Sequence, residues 1–202
     1  MPSAFVYAGP TEDKWSRKVA AVEAFGQPYC VVVKPDFVAG SISGAADRVG
    51  VTMISTELAG RGTVNRRVLA EARTGLHRLL AHVGVLPIPS GSDDSASHSG
   101  RDADGSAGAD DGITYLELRA DSAVMARGAG LFEPSVDLGQ HVAVGDLVGR
   151  VHFIEELDRP WQEYRAHLDG LVCTLRHPTL VQTGTTLVNI GVPLRAHSRL
   201  EN

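Results

Sequence analysis

The chain has 202 residues, of which 43% are hydrophobic and 21% charged, and its formal net charge is −5. This is an ordinary globular composition, which excludes a fibrous repeat and wholesale disorder. The negative charge argues against a protein that binds nucleic acid or an anionic membrane. No apolar run approaches the roughly 18 residues that a membrane helix needs, and the first residues lack the basic start and apolar core of a signal peptide. Two isolated cysteines, Cys30 and Cys173, exclude a disulfide scaffold and a cysteine zinc cluster, so we expect a cytoplasmic protein.

The first 87 residues alternate helix and strand signals. Thr11 is a good N-cap, the apolar residues that follow recur at helical spacing, and Gly26 ends the pattern. Thr63 and Gly84 bracket a second, longer helical pattern in the same way. The predicted elements are a helix at 11–25, a buried strand at 28–34, a loop with a short helix at 35–50, a buried strand at 51–56 and a helix at 63–83. This order predicts an α/β fold with a parallel sheet, because the strands are apolar throughout.

Residues 88–112 differ in composition from the rest of the chain. Ser, Asp and Gly fill 17 of the 25 positions, and six aspartates with one arginine give the segment a charge of −5, equal to that of the whole chain. Such a segment buries too little apolar surface to offset the entropy lost on ordering, so we predict a disordered acidic linker. The alternative is an interaction tail.

Residues 113–202 carry short alternating runs separated by glycines, which is typical of a small all-β barrel or sandwich. The glycine pattern at 139–149 resembles that of biotinyl and lipoyl barrel-sandwich domains. A carrier domain of that kind attaches its cofactor to a lysine, and no lysine follows Lys34, so only the scaffold is expected. The predicted organisation is therefore an α/β part at 1–87, a linker at 88–112 and a β domain at 113–202.

Glu57 is the candidate for acid–base catalysis. It follows the second predicted strand and precedes a Gly-rich turn, LAGRG at 58–62. In α/β folds the carboxyl ends of the strands are where ligands bind. Partial burial there would raise the pKa of the carboxyl group toward that of a useful general base. A salt-bridged carboxylate without a catalytic role is also compatible with this position.

The histidines do not form a metal-binding pattern. His152 and Glu155 match H-x-x-E, but the surrounding run alternates as a strand does, which points the two side chains to opposite faces. His77 and His82 lie five residues apart on the predicted helix, a poor spacing for two ligands. Spacing alone therefore predicts no metal site in this chain.

Five motifs follow one another along the chain. They are STELAGRG at 55–62, GLHRLLAHVGVL at 75–86, GLFEP at 130–134, RHP at 176–178 and VQTG at 181–184. With these motifs the chain resembles the succinylglutamate desuccinylase/aspartoacylase family of zinc hydrolases. It is most similar to the branch that deacetylates N-acetyl-2,4-diaminobutyrate in ectoine degradation.

The resemblance implies a zinc-carboxypeptidase-like α/β domain, here only in its C-terminal part, followed by the β domain. Members of the family bind one zinc through an H-x-x-E pair and a later histidine, and a glutamate acts as general base and then as general acid. Glu57 aligns with that glutamate. The zinc ligands are expected upstream of Met1, so none is assigned to this chain.

Two functions follow as hypotheses. The first is a zinc-dependent hydrolase that cleaves the amide bond of a small N-acyl amino acid, with this chain truncated, inactive alone, and forming a homo-oligomer or a complement with a missing N-terminal half. The second is a non-catalytic remnant or binding module that keeps the fold.

Overall fold

The computed structural model describes residues 3–8, 11–33, 40–87 and 112–194. In these ranges the helices are α1 (Glu12–Phe25), α2 (Ile42–Arg48) and α3 (Arg66–His82). The strands are β1 (Ser3–Tyr7), β2 (Tyr29–Val33), β3 (Ser55–Glu57), β4 (Thr114–Leu118), β5 (Ala123–Met125), β6 (Gly130–Pro134), β7 (His141–Val142), β8 (Leu147–His152), β9 (Gln162–Arg165), β10 (Gly170–Leu175), β11 (Leu180–Val181) and β12 (Thr186–Leu194). One sheet has the order β3-β1-β2-β4-β12-β10-β7, with β5 also paired to β12, and the other has the order β11-β6-β8-β9. None of these helices combines the length and the apolar character needed to cross a membrane.

The first sheet begins as a parallel α/β sheet. β2 pairs in parallel with β1 on one side and with β4 on the other, over all five residues of each strand. On one face Ala4 and Val32 pack with residues of α1, and on the other Val31 and Leu116 pack with Cys173 of β10. Burial on both faces explains why these strands are apolar throughout. The predicted fold class, a mixed α/β sheet followed by antiparallel β-structure, is confirmed.

α1 forms where the helical spacing predicts it. Thr11 Oγ1 accepts a hydrogen bond from the Lys14 amide (3.4 Å), and Gly26 ends the helix with a φ of 79°. Glycine adopts this left-handed conformation at little cost because it has no Cβ. Trp15 and Val22 are buried against the sheet.

A buried lysine joins α1 to α2. The Lys18 ammonium lies 2.9 Å from the Asp47 carboxylate and donates a second hydrogen bond to the Tyr7 carbonyl (3.0 Å). Lys14 Nζ donates to the backbone carbonyl of Asp47 (2.6 Å). The Lys18 side chain is 1% exposed and that of Asp47 is 12% exposed. Because an unpaired buried charge is costly, these contacts hold α2 in one position against α1.

α3 begins at Arg66, and its N-cap lies two residues after the predicted one. Its N-cap is Asn65, whose Oδ1 accepts a hydrogen bond from the Val68 amide (2.9 Å), and the predicted cap, Thr63, lies in the turn before it. The helix packs against α1 through Gly75, its one buried residue, which contacts the ring of Phe25. A Cβ at position 75 would lie 2.7 Å from that ring, so glycine permits the close approach of the two helices.

The predicted buried strand at 51–56 is wrong. Residues 51–54 belong to no strand, and β3 is a short edge strand with partly or fully exposed residues. Val51, the first residue of the apolar run at 51–54, closes the C-terminal end of α2, because its amide donates a hydrogen bond to the Ala46 carbonyl (2.9 Å). The place beside β2 is taken instead by β1, a strand that the sequence analysis did not identify.

The β part has its own core, in which Phe132, Val148 and Leu187 are buried between the two sheets. β12 pairs with β10 and β5 through most of its length and with β4 through Val192–Leu194, so it connects both parts of the chain within one sheet. The predicted linker at 88–112 lies outside the described residues apart from Gly112. The division of the chain into two parts at this segment stays a prediction. β4 follows the segment in sequence, but it pairs with β2, which precedes the segment.

Candidate functional site

Glu57 is the last residue of β3, and it is exposed. It lies opposite Ser3, the first residue of β1, because β3 runs antiparallel to β1. Since β1, β2 and β4 are mutually parallel, Glu57 lies at the end of the sheet where these three strands begin. The expected position, partly buried at the carboxyl ends of parallel strands, is therefore wrong. The catalytic role of Glu57 stays a prediction that rests on the family resemblance.

The turn after Glu57 has an unusual backbone. Gly60, Arg61 and Gly62 have φ values of 75°, 54° and 66°. The amide and the Oγ1 of Thr63 both donate to the Gly60 carbonyl, at 3.1 and 3.0 Å, and close the turn. In the described ranges Arg61 is the only residue other than glycine with a positive φ, a conformation that costs about 1–2 kcal/mol. Such strain is concentrated at functional sites, so the turn is a second part of the candidate site.

The candidate site thus carries one anionic and one cationic side chain. Glu57 and Arg61 are both exposed, and neither side chain makes a hydrogen bond or an ion pair with another described residue. A carboxylate of this kind can accept and return a proton, and a guanidinium can bind a carboxylate through two hydrogen bonds. The sequence analysis did not identify Arg61. The available signal was an arginine between two glycines, where a turn is expected to need left-handed residues.

Zinc does not fit the residues that the structure describes. In these ranges no three His, Cys, Asp or Glu side chains come together as a metal-binding group. His152 Nε2 lies 2.6 Å from Glu133 Oε2, and its ring lies beside Trp161 with 6.0 Å between the ring centroids. Glu155 lies in the turn beyond β8. Glu133 was missed as the partner of His152 because the contact joins β6 to β8, which are distant in sequence.

The two cysteines are not candidate nucleophiles. Burial raises the pKa of the Cys30 thiol to about 12 and that of the Cys173 thiol to about 11, from an ordinary value of 9.0. The thiolate is the reactive form of cysteine, so both side chains are protonated and inert at neutral pH.

No protein-family model matches this chain. A curated relative, the N-alpha-acetyl-L-2,4-diaminobutyric acid deacetylase of Halomonas elongata, is 28% identical over 180 residues, which are 87% of this chain and 47% of the relative. A crystal structure of a succinylglutamate desuccinylase/aspartoacylase from Rhodobacter sphaeroides matches 96% of this chain and 54% of its own, with 28% identity and a TM-score of 0.80. The product-bound structure of the ectoine utilization protein EutE from Ruegeria pomeroyi matches 95% and 53%, with 32% identity and a TM-score of 0.78.

These similarities confirm the family resemblance that the motifs predict, and they extend over nearly the whole chain. The chain spans about half the length of the relatives it matches. In each relative a comparable length of polypeptide therefore has no counterpart in this sequence. We refer to it below as the unmatched half.

Proposed function

We propose, from the resemblance to the succinylglutamate desuccinylase/aspartoacylase family, that this chain takes part in hydrolysing the amide bond of a small N-acyl amino acid. The observation that supports this most strongly is the match to EutE, at 32% identity over 95% of this chain, together with the match to the Halomonas elongata deacetylase. The proposed substrate is an N-acetyl or N-succinyl amino acid, and the proposed location of the protein is the cytoplasm.

In this proposal Glu57 is the general base. Its carboxylate accepts a proton from the water that attacks the acyl carbonyl carbon, and it then gives that proton to the amine nitrogen as the C–N bond breaks. The products are a free carboxylic acid and the amino acid. Glu57 ends an edge strand and is exposed, so its side chain is open to a substrate.

The family resemblance also implies zinc, whose ligands we assign to the unmatched half. The described residues provide no set of three ligands, so no step of the reaction is derived through the metal. We expect zinc titrated into the purified chain to be removed readily by a chelator. Stoichiometric zinc that resists the chelator would contradict the assignment of the ligands.

The test is acetate release from N-alpha-acetyl-L-2,4-diaminobutyric acid. We expect no turnover by the chain alone, and turnover after co-expression with the unmatched half of the Halomonas elongata deacetylase. Glu57→Gln should then lower kcat by about 10²–10⁴-fold, the usual contribution of a general base. Glu156→Gln, which removes an exposed carboxylate paired with Arg159 on the β part, is the control and should leave kcat unchanged.

The alternative is a non-catalytic binding module that keeps the fold. An assembled complex without turnover would support the module and contradict the hydrolase. Turnover that survives Glu57→Gln would contradict the role of Glu57 alone.

A further inference from the structure

Glu57 belongs to a row of residues that crosses the sheet at the end where β1, β2 and β4 begin. It pairs with Ser3 of β1, Ser3 pairs with Tyr29 of β2, and Tyr29 pairs with Thr114 of β4. Residues paired across neighbouring strands have side chains on the same face, because side chains alternate between the two faces along each strand. The four side chains therefore lie on one face of the sheet.

Tyr29 shows which face this is. It is partly buried and packs against the cluster of Val31, Leu116 and Cys173, the last of which belongs to β10. The opposite face packs against α1 and buries Tyr115. The row thus lies on the side where β10 meets the parallel strands, and small-molecule sites are often found where two parts of a fold meet.

The Tyr29 hydroxyl is available to a ligand. It makes no hydrogen bond with another described residue and, unlike the Tyr115 hydroxyl, it is not buried. Ser3, which lies between Tyr29 and Glu57 in the row, is 2% exposed. A ligand that reaches Glu57 from solvent can therefore contact Tyr29 across Ser3.

The spacing of the row suits one small molecule. Neighbouring strands are about 4.8 Å apart, so the Cα atoms of Glu57 and Tyr29 are separated by about 10 Å and those of Glu57 and Thr114 by about 14 Å. Tyr29 is therefore the nearer partner for Glu57. A phenolic O–H donates hydrogen bonds, and the ionised carboxylate is the strongest acceptor that an N-acyl amino acid carries.

We propose that the Tyr29 hydroxyl binds the α-carboxylate of the substrate by donating a hydrogen bond to it. This rests on the proposed function, in which Glu57 acts at the amide bond. Tyr29 then selects N-acyl amino acids over N-acyl amines that lack the carboxylate. The second oxygen of the same carboxylate is left able to bind Arg61.

Tyr7 provides a matched control. It lies on the same face of β1 as Ser3 but four residues further on, at the opposite end of the strand and about 13 Å away. Like Tyr29 it is partly buried, and its hydroxyl makes no hydrogen bond with another described residue. Tyr29→Phe and Tyr7→Phe each remove one oxygen and keep the ring, so the packing of both rings is preserved.

The first experiment measures acetate release by the full chain co-expressed with the unmatched half of the Halomonas elongata deacetylase. The substrates are N-alpha-acetyl-L-2,4-diaminobutyric acid and its α-carboxamide. Tyr29→Phe should raise KM for the acid about tenfold or more and leave kcat within about twofold, because the lost hydrogen bond holds the substrate and the transition state alike. For the carboxamide, which lacks the charge, KM should rise less than about threefold. Tyr7→Phe should alter neither constant.

A second experiment does not depend on turnover. The same complex carries Glu57→Gln and fluorine-labelled tyrosine, and each fluorine NMR resonance is assigned by its loss in the Tyr29→Phe or Tyr7→Phe variant. Adding the acid should shift the Tyr29 resonance and leave the Tyr7 resonance in place.

Three results would overturn the proposal. They are an unchanged KM for the acid in Tyr29→Phe, a rise in KM that is equal for the carboxamide or equal in Tyr7→Phe, and a Tyr29 resonance that does not shift. Any of these with acetate still released would leave the hydrolase function in place. A shift of the Tyr29 resonance in a complex whose unaltered form releases no acetate would contradict the hydrolase function alone, so the two proposals fail separately.

Discussion

Removing either charge of the Lys18–Asp47 pair should destabilise the fold strongly. The ammonium and the carboxylate are 2.9 Å apart and join α1 to α2. Lys18→Met keeps a side chain of similar length but leaves the carboxylate without its partner. Asp47→Asn removes the negative charge that balances the ammonium and leaves it with neutral oxygen acceptors, among them the Tyr7 carbonyl.

The size of the effect follows from burial. Breaking a buried ion pair by removing one partner costs about 3–5 kcal/mol. The Asp47 side chain is 12% exposed and keeps some access to water, whereas Lys18 is 1% exposed. We therefore expect about 3 kcal/mol for Lys18→Met and a larger loss for Asp47→Asn, within that range. For a chain of this size, about 3 kcal/mol corresponds to a fall in Tm of about 6–12 °C.

Urea unfolding followed by far-UV circular dichroism would measure these losses. The double variant should be destabilised by less than the sum of the two single variants, because it leaves no unpaired charge. The surface pair of Arg17 and Asp13, with side chains 62% and 69% exposed, serves as the control and should contribute about 0.5 kcal/mol or less. Additive losses, or a loss below about 1 kcal/mol for Lys18→Met, would refute the argument from burial.

Two further predictions concern packing and pH. Gly75→Ala should lower the free energy of unfolding by about 1–2 kcal/mol, since crowding against the Phe25 ring outweighs the gain in helix propensity. Thr74→Ala, on the exposed face of the same helix, is the control and should not lower it. Thermal unfolding would compare the two variants. Thiols in the unfolded chain ionise near pH 9, whereas burial raises the pKa of Cys30 to about 12 and that of Cys173 to about 11. The free energy of unfolding should therefore fall as pH rises from 9 to 11. The fall should be less steep in the Cys30→Ala/Cys173→Ala double variant.

The sequence predicts local features well where a few neighbouring residues determine them. α1 is an example, because its N-cap, its apolar spacing and its terminal glycine all lie within residues 11–26. The buried Lys18 could also have been found, since it lies three residues after Trp15 and four before Val22, on the apolar face. Its partner, Asp47, could not, because it lies on another helix 29 residues away.

The candidate site shows the same limit. The STELAGRG motif identifies Glu57, but the direction of β3 depends on its pairing with β1, which no local pattern reveals. The run at 51–54 is apolar enough for a strand, and its role in closing α2 depends on a hydrogen bond to Ala46. Likewise β4 lies in the region predicted to consist of short strands, but its parallel pairing with β2 joins residues more than 80 positions apart.

The shared strand β12 has a consequence for synthesis on the ribosome. β4 emerges with β2 on one side and an open edge on the other, and that edge is covered only by Val192–Leu194, some 75 residues later. Until then the nascent chain presents unpaired amides and carbonyls that can attract other strands. At an elongation rate of about 5–20 residues per second, the edge stays open for about 4–15 seconds. Chaperone binding during translation should therefore be greatest in this interval and fall once β12 leaves the exit tunnel.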